Sequence, residues 1–218
     1  MVGVLIELGR IVRTAGRIGV SRTPVRVALE RLTNEGLLEP YPTGGFIVRK
    51  FTLDDVWNGI EVRGILEGGA ARLAAENLVD VRELEVLRRR QAELDTLGKP
   101  TIETFPSYLH LNDKFHAEIV RLAKNEILKK ALNSVVSVPL SSRRALVSLQ
   151  TKFPESAEIF MIARDQHLQT IEAIAKRQGS RAESIAREHA QISRRALEIV
   201  LVHTEVIRSL PGGRLIRM

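Results

Sequence analysis

Apolar and polar positions follow two different rhythms along this chain. From Val20 to Leu38, the residues Val25, Ala28, Leu29 and Leu32 recur at three- and four-residue steps, which predicts a helix with one buried stripe. Ser21 offers an N-cap, Pro24 falls in the first turn where its missing N–H costs little, and Gly36 stops the helix. Two short apolar runs follow, Leu37–Leu38 and Phe46–Val48. They flank the Pro- and Gly-rich stretch "EPYPTGG", which predicts a β-hairpin. Upstream, Ile11 to Ile18 reads as a short helix joined through the tight turn Gly19-Val20. Helix, turn, helix and hairpin in this order make a winged helix-turn-helix.

Beyond Lys50 the helical rhythm takes over. Thr52 with Asp55 resembles a capping box and opens a helix to about Glu76, and Asp80 with Glu83 opens another to about Leu97. The break "LGKPTIETFP" precedes a helix through "HLNDKFHAEIVRLA". Asn125 begins a further helix that bends or breaks near Pro139. "KFPES" separates it from "AEIFMIARDQHLQTIEAIAKRQ", which Gly179 ends, and Ser180 with Glu183 caps the last helix. The closing "LPGGRLIRM" reads as a frayed tail. The expected fold is mainly α: a winged helix-turn-helix in residues 1–50, then an all-α six-helix bundle in residues 51–218.

Composition agrees with helices packed on helices: 44% hydrophobic residues but only 4% aromatic, in a chain of 218. With no cysteine, disulfides and thiolate metal sites are excluded. No apolar run suggests a membrane span and no signal-peptide pattern opens the chain, so a cytoplasmic protein without a membrane partner is expected. The formal charge is +7, unevenly spread. Residues 1–50 hold eight Arg or Lys against four Asp or Glu, while residues 51–218 hold 25 against 22. A basic small domain attracts nucleic-acid phosphates.

The chemistry of the first helix fits that charge. A recognition helix enters the major groove with its N-terminal residues toward the bases. Arg22 and Arg26 lie four apart and so share a face, and a guanidinium grips guanine or phosphate with two donors. Ser21 and Thr23 are short hydroxyls suited to phosphate, and the turn Thr43-Gly44-Gly45 brings backbone close to an adjacent groove. Arg31 completes the candidate DNA-binding set.

Three of the five histidines fall in apolar helix stripes. His116 sits with Asn112, Phe115 and Ile119; His167 with Ala163, Ile171 and Ile174; His189 with Ile185, Ile192 and Ala196. Inward imidazoles converging from three helices of one bundle favour a divalent transition metal, zinc or nickel. His110 and His203 read as structural.

The stretch "GVSRTPVRVALERLTNEGLLEPYPTGGFIV" resembles the core of the GntR family of bacterial transcription regulators. "EVRGILEGGAARLAA", at residues 61–75, resembles the first helix of the FadR-like (FCD) effector domain. The resemblance spans roughly residues 12–203. It implies a homodimer that binds double-stranded operator DNA, as a repressor, and an effector domain that senses a small organic acid. In the metal-binding version of that domain, an Asp or Asn four residues before an "FH" histidine joins that histidine and two later ones. "NDKFH" supplies Asn112 and His116, His167 and His189 match the later two, and Asp113 is a further candidate. Arg63, Arg143 and Arg144 are candidates to capture the carboxylate of the effector. The N-terminus departs from the family pattern. Only Met1 to Arg10 precede the helix-turn-helix, "LIELGRIVRTAGRI" fits the usual spacing poorly, and Val12 beside Arg13 stands where relatives carry an early phosphate-contacting Arg.

Two other classes compete with this reading. A helical-bundle metalloenzyme would need a base such as Glu188 or Asp165 beside the histidines, and no converging carboxylate pair is evident. A dimeric helical module without any ligand would leave the histidines as core residues.

Overall fold

The computed structural model describes residues 5–6, 19–101, 103–136, 141, 156–202 and 213–217. The expected helix at Ile11–Ile18, the bend at Pro139, and Arg143, Arg144 and His203 lie outside them.

Helix α1 (Arg22–Asn34) starts after Ser21, whose backbone is extended and whose side chain makes no capping hydrogen bond. It is shorter than the expected Val20–Leu38 helix because Glu35 closes it and Gly36 turns left-handed at φ +74°. Of its apolar stripe, Val25 is buried and packs with Leu29 and Phe46, Leu32 is half-buried, and Ala28 is exposed. Strands β2 (Leu38–Pro40) and β3 (Phe46–Val48) pair antiparallel, with Leu38 opposite Val48. Gly44 and Gly45, at φ +97° and +96°, make the turn that a Cβ would strain. The sequence pattern did not anticipate a third strand. β1 (Leu5–Ile6) pairs antiparallel with β3, giving a sheet of order β1-β3-β2.

Strand β4 (Phe51–Thr52) leads into α2 (Leu53–Glu76), whose start is the expected capping box. Thr52 N–H donates to Asp55 Oδ2 at 2.7 Å and Asp55 N–H to Thr52 Oγ1 at 3.1 Å. A second capping box, Asp80 with Glu83, opens a 3-10 turn (Val81–Leu84) that runs into α3 (Glu85–Leu97). Then come α4 (Phe105–Leu122), α5 (Glu126–Val136), α6 (Ser156–Ala175) and α7 (Gly179–Leu201). Six helices after residue 52 are thus present among the described residues, as the pattern predicts.

α2 and α7 form the antiparallel spine. Gly68 faces the α7 backbone so closely that a Cβ there would stand 3.0 Å from Glu183 O and 2.5 Å from Arg187 Cγ. Around the spine, Leu84, Leu87, Phe115, Leu122 and Ile174 are almost fully buried and join α3, α4 and α6 to it.

Two expectations at the α6–α7 junction and one at the C-terminus are corrected. α6 ends at Ala175, and Arg177, not Gly179, takes the left-handed turn at φ +57°. Gly179 instead opens α7, placed against Arg72 and Glu76 of α2, so Ser180 is inside the helix rather than its cap. Glu183 lies 3.6 Å from Arg72. The tail is not frayed in the described residues: β5 (Ile216–Arg217) pairs parallel with β4, and Ile216 is buried with Phe51, Val56, Ile60 and Leu197. An apolar Leu-Ile pair at the end of a chain has a strand edge to join here, and burying it outweighs the entropy of a free end.

Candidate metal centre and DNA-reading surface

The three stripe histidines meet. His116 of α4, His167 of α6 and His189 of α7 bring their ligand atoms within 4.8 Å of one another. Patterning and packing together explain the convergence: each histidine occupies a position on the inward stripe of its helix, and α4, α6 and α7 all pack against α2. The rings line a cavity of about 20 Å³ with Glu67, Phe115 and Thr170. Phe115 stacks on His167 with ring centroids 4.1 Å apart.

Hydrogen bonds fix which nitrogen of His167 and of His189 faces the cluster. Asp95 Oδ1 can only accept, and it accepts from Gln91 Nε2 at 2.8 Å, which turns Gln91 Oε1 toward His167. His167 Nδ1 donates to that oxygen at 2.9 Å. His189 Nδ1 lies 3.2 Å from Gln166 Oε1, an acceptor oxygen, and so carries the proton in the same way. Both rings therefore point Nε2 inward, and these two atoms are 3.3 Å apart. In neutral rings they present lone pairs to each other, an arrangement that a shared proton or a cation relieves. A tetrahedral ion with metal–nitrogen bonds of about 2.05 Å spaces its ligands about 3.3 Å apart. The donor set therefore fits a divalent metal. Oxygen acceptors that hold the outer N–H of ligating imidazoles are a recurrent support for such sites.

Asn112 is buried one turn before His116, on the same helical face, while Asp113 is half-buried. His110 is exposed. Arg63 is fully buried, but its guanidinium is committed to α7: Nη2 donates to Ser193 Oγ at 2.7 Å and to Ala190 O at 3.2 Å, and Nε lies 3.9 Å from Glu67. It is Glu67, one turn on, that lines the histidine cavity. Glu188 and Asp165, the bases a metalloenzyme would require, are exposed and line a separate pocket with Glu158 and Gln169.

Sequence reasoning missed Gln91, Gln166 and Glu67. Gln91 left a trace, as the polar member of the inward stripe Leu84, Leu87, Gln91, Leu94. Glu67 left a fainter one, as an acid one turn after Arg63 on a stripe that continues in Gly and Ala. Gln166 left none.

On the N-terminal head, Ser21, Arg22, Thr23 and Arg26 are all exposed at the start of α1. Arg26 and Arg31 pair with Glu30 and Glu35 at 3.0 and 2.9 Å. An open groove between α1 and the hairpin is lined by Arg26, Tyr41, Gly44 and Gly45, so helix and wing turn share one face. Thr43 is exposed at the same turn.

The FCD domain family matches residues 59–191, the stretch that holds most of α2, all of α3, all three histidines and both glutamines. The chain belongs to the GntR family of transcription regulators, in its FadR-like branch. It is 37% identical over 124 residues to the Nta operon transcriptional regulator of Aminobacter aminovorans, covering 57% of each chain. It is 31% identical over 156 residues to a probable D-xylose utilization operon transcriptional repressor of Paenarthrobacter nicotinovorans, covering 70% of this chain and 67% of that one. It is 26% identical over 175 residues to the transcriptional repressor RspR of Escherichia coli, covering 80% and 72%. The chain thus spans little more than half of the first relative's length. These GntR relatives are regulators of transcription rather than enzymes. Among solved structures, E. coli McbR/YncC shares the fold at TM-score 0.63 and 20% identity, covering 92% of this chain and 88% of that one. A GntR family member from Pseudomonas syringae does so at TM-score 0.53 and 20% identity, covering 94% and 80%. Among the described residues, no helix is long and apolar enough to cross a membrane.

Proposed function

We propose that this GntR-family chain binds operator DNA as a homodimer through residues 1–50, and that a metal-dependent effector domain in residues 51–218 controls that binding. The observation that carries the effector half is the pair of inward Nε2 atoms, 3.3 Å apart, with His116 beside them. His116, His167 and His189 would hold a divalent ion, zinc or nickel, with Asn112 as the oxygen donor and Asp113 as its alternate. The ion would supply a Lewis-acidic anchor for an anionic ligand. The chain's own part is to orient the imidazoles through Gln91 and Gln166 and to keep the ligand nitrogens away from bulk water.

A small carboxylate is the effector class that suits such an anchor. Arg63 balances Glu67 at the cavity wall, and Arg143 and Arg144 remain candidates to grip the acid. On the DNA side, Arg22 and Arg26 would meet bases or phosphates, Ser21 and Thr23 phosphates, Arg31 the backbone further along, and the Thr43-Gly44-Gly45 turn the adjacent groove. Half-sites about 34–36 Å apart must match two recognition helices, so a small rearrangement of the bundles changes affinity.

Two measurements test this. Protein purified without added metal should contain zinc or nickel, and His167→Ala should lose it while remaining folded by circular dichroism. Equal metal content in both proteins would overturn the site. Genomic fragments selected by the protein should share a palindrome, bound with an affinity that falls steeply with salt. Selection of no common sequence would overturn the operator reading.

A further inference from the structure

A second, larger cavity lies where Gln91 meets His167. It encloses about 250 Å³, against about 20 Å³ at the histidine cluster. The smaller space has room for an ion and little else, whereas the larger approaches the size of small-molecule sites, about 300–1000 Å³. Its floor is buried and mostly apolar: Leu94 and Phe160 are 5% and 8% exposed, and Tyr108 meets Phe160 edge-on at 5.3 Å. Burial pushes the Tyr108 phenol well above its ordinary pKa, so this ring stays neutral. Its mouth carries charge, from Arg164 and Lys99, both exposed.

One hydrogen-bonded chain runs from that mouth to the histidine cluster. Arg164 Nε donates to Asp95 Oδ1 at 2.6 Å, and Nη2 to Oδ2 at 3.3 Å. Gln91 Nε2 donates to the same Asp95 Oδ1 at 2.8 Å, and Gln91 Oε1 accepts from His167 Nδ1 at 2.9 Å. His167 is a wall of both cavities. Asp95 therefore divides one oxygen between a surface arginine and the amide that sets the orientation of an inward imidazole.

We propose that this cavity binds an amphiphilic carboxylate, an apolar body with a single acid group. Its carboxylate takes Arg164 from Asp95, and its occupancy is transmitted through Gln91 to the His167 ring. The apolar body removes itself from water against Leu94, Tyr108, Phe160 and Met161. The acid meets Arg164 and Lys99 through charge-assisted hydrogen bonds. Asp95, released from Arg164, then bears on Gln91 alone, and the Gln91–His167 contact changes with it. The binding stands on the cavity itself; its consequence for a metal rests on the reading of His167 as a ligand.

The probe is 3-phenylpropionate, titrated into metal-free wild-type protein, with acetate and 3-phenylpropan-1-ol as controls that lack the body or the charge. Saturable binding is expected for the acid, with both controls at least about tenfold weaker, and with intermolecular NMR contacts to Leu94 and Phe160. Arg164→Gln, a change at an exposed residue, should weaken it about tenfold or more. The ligand should shift the His167 ring nitrogen signals in ¹⁵N spectra. Gln91→Ala should lose that shift at ligand concentrations that saturate its own binding. No saturable binding, equal binding of the alcohol, or an unchanged affinity in Arg164→Gln overturns the site. A His167 signal that ignores the ligand in wild type, or still responds in Gln91→Ala, overturns the transmission. None of these readouts needs zinc, so failure of the metal reading would appear separately, as absent metal beside an intact ring shift.

Discussion

The reading head and the helical bundle use polar side chains in opposite ways. On the head, Arg22, Arg26 and Ser21 are exposed, and the apolar support beneath them among the described residues is small, with Val25 packed on Leu29 and Phe46. In the bundle, Arg63, Gln91, His116 and His167 are 7% exposed or less, and the hydrogen bonds of Arg63 to Ser193 and of Gln91 with His167 tie one helix to another. Exposed charge acts through water at little cost to folding, whereas buried polar groups belong to folding and function at once because losing a partner strands the other. Substitutions should therefore separate the two regions: binding alone changes on the head, while stability and binding change together in the bundle.

The largest effect is expected at Arg63. Arg63→Ala removes a fully buried guanidinium and leaves Glu67 and Ser193 inside the spine, which should cost about 3–5 kcal/mol in chemical denaturation. A loss below about 1 kcal/mol would show that the bundle tolerates buried charge as the head does. Next comes Gln91→Leu, similar in size but unable to hold the His167 tautomer. Zinc affinity measured by competition with a chelator should fall about 10–100-fold. Arg22→Ala should weaken duplex binding by roughly tenfold in fluorescence anisotropy and leave the melting temperature unchanged; a large drop in stability would erase the contrast between the regions.

The smallest effect sits at the join between them. The backbone N–H of Thr52, its hydroxyl and then the Arg49 charge hold the Asp55 carboxyl below its ordinary value of 3.8. A lowered folded pKa means that this cap stabilises fully above that value and loses its contribution as pH falls through the depressed one. Thr52→Ala should cost about 1 kcal/mol at neutral pH, and the difference from wild type should shrink in unfolding curves below pH 3.8.

Much of the bundle was legible because amphipathic helices advertise themselves. The capping boxes at Thr52 and Asp80, the bounds of α2, and the inward placing of three histidines all follow from residue type and a 3.6-residue period, whereas α4 starts at Phe105, inside the stretch read as a break. Three short strands were not legible. Leu5–Ile6, Phe51–Thr52 and Ile216–Arg217 are too brief to carry an alternating pattern, and they become strands only by pairing, the first with β3 and the other two with each other. The left-handed turn at Arg177 was hidden for a related reason: glycine is the usual signal, and here the packing of Gly179 on α2 claims the glycine instead.

The sequence by itself determined the order of elements, the arginine-bearing face of α1 and the inward placing of each of three histidines, because each depends on periodicity within one segment. Tertiary structure alone decided which groups surround those imidazoles. It set Gln91 and Gln166 on their outer nitrogens, turned Arg63 into a tie to α7, put Glu67 on the cavity wall, and opened a second cavity behind His167. Those partners come from residues up to 130 apart in the chain, and their meeting depends on how close two packed helices stand, a distance that small residues such as Gly68 set only once both helices are in place.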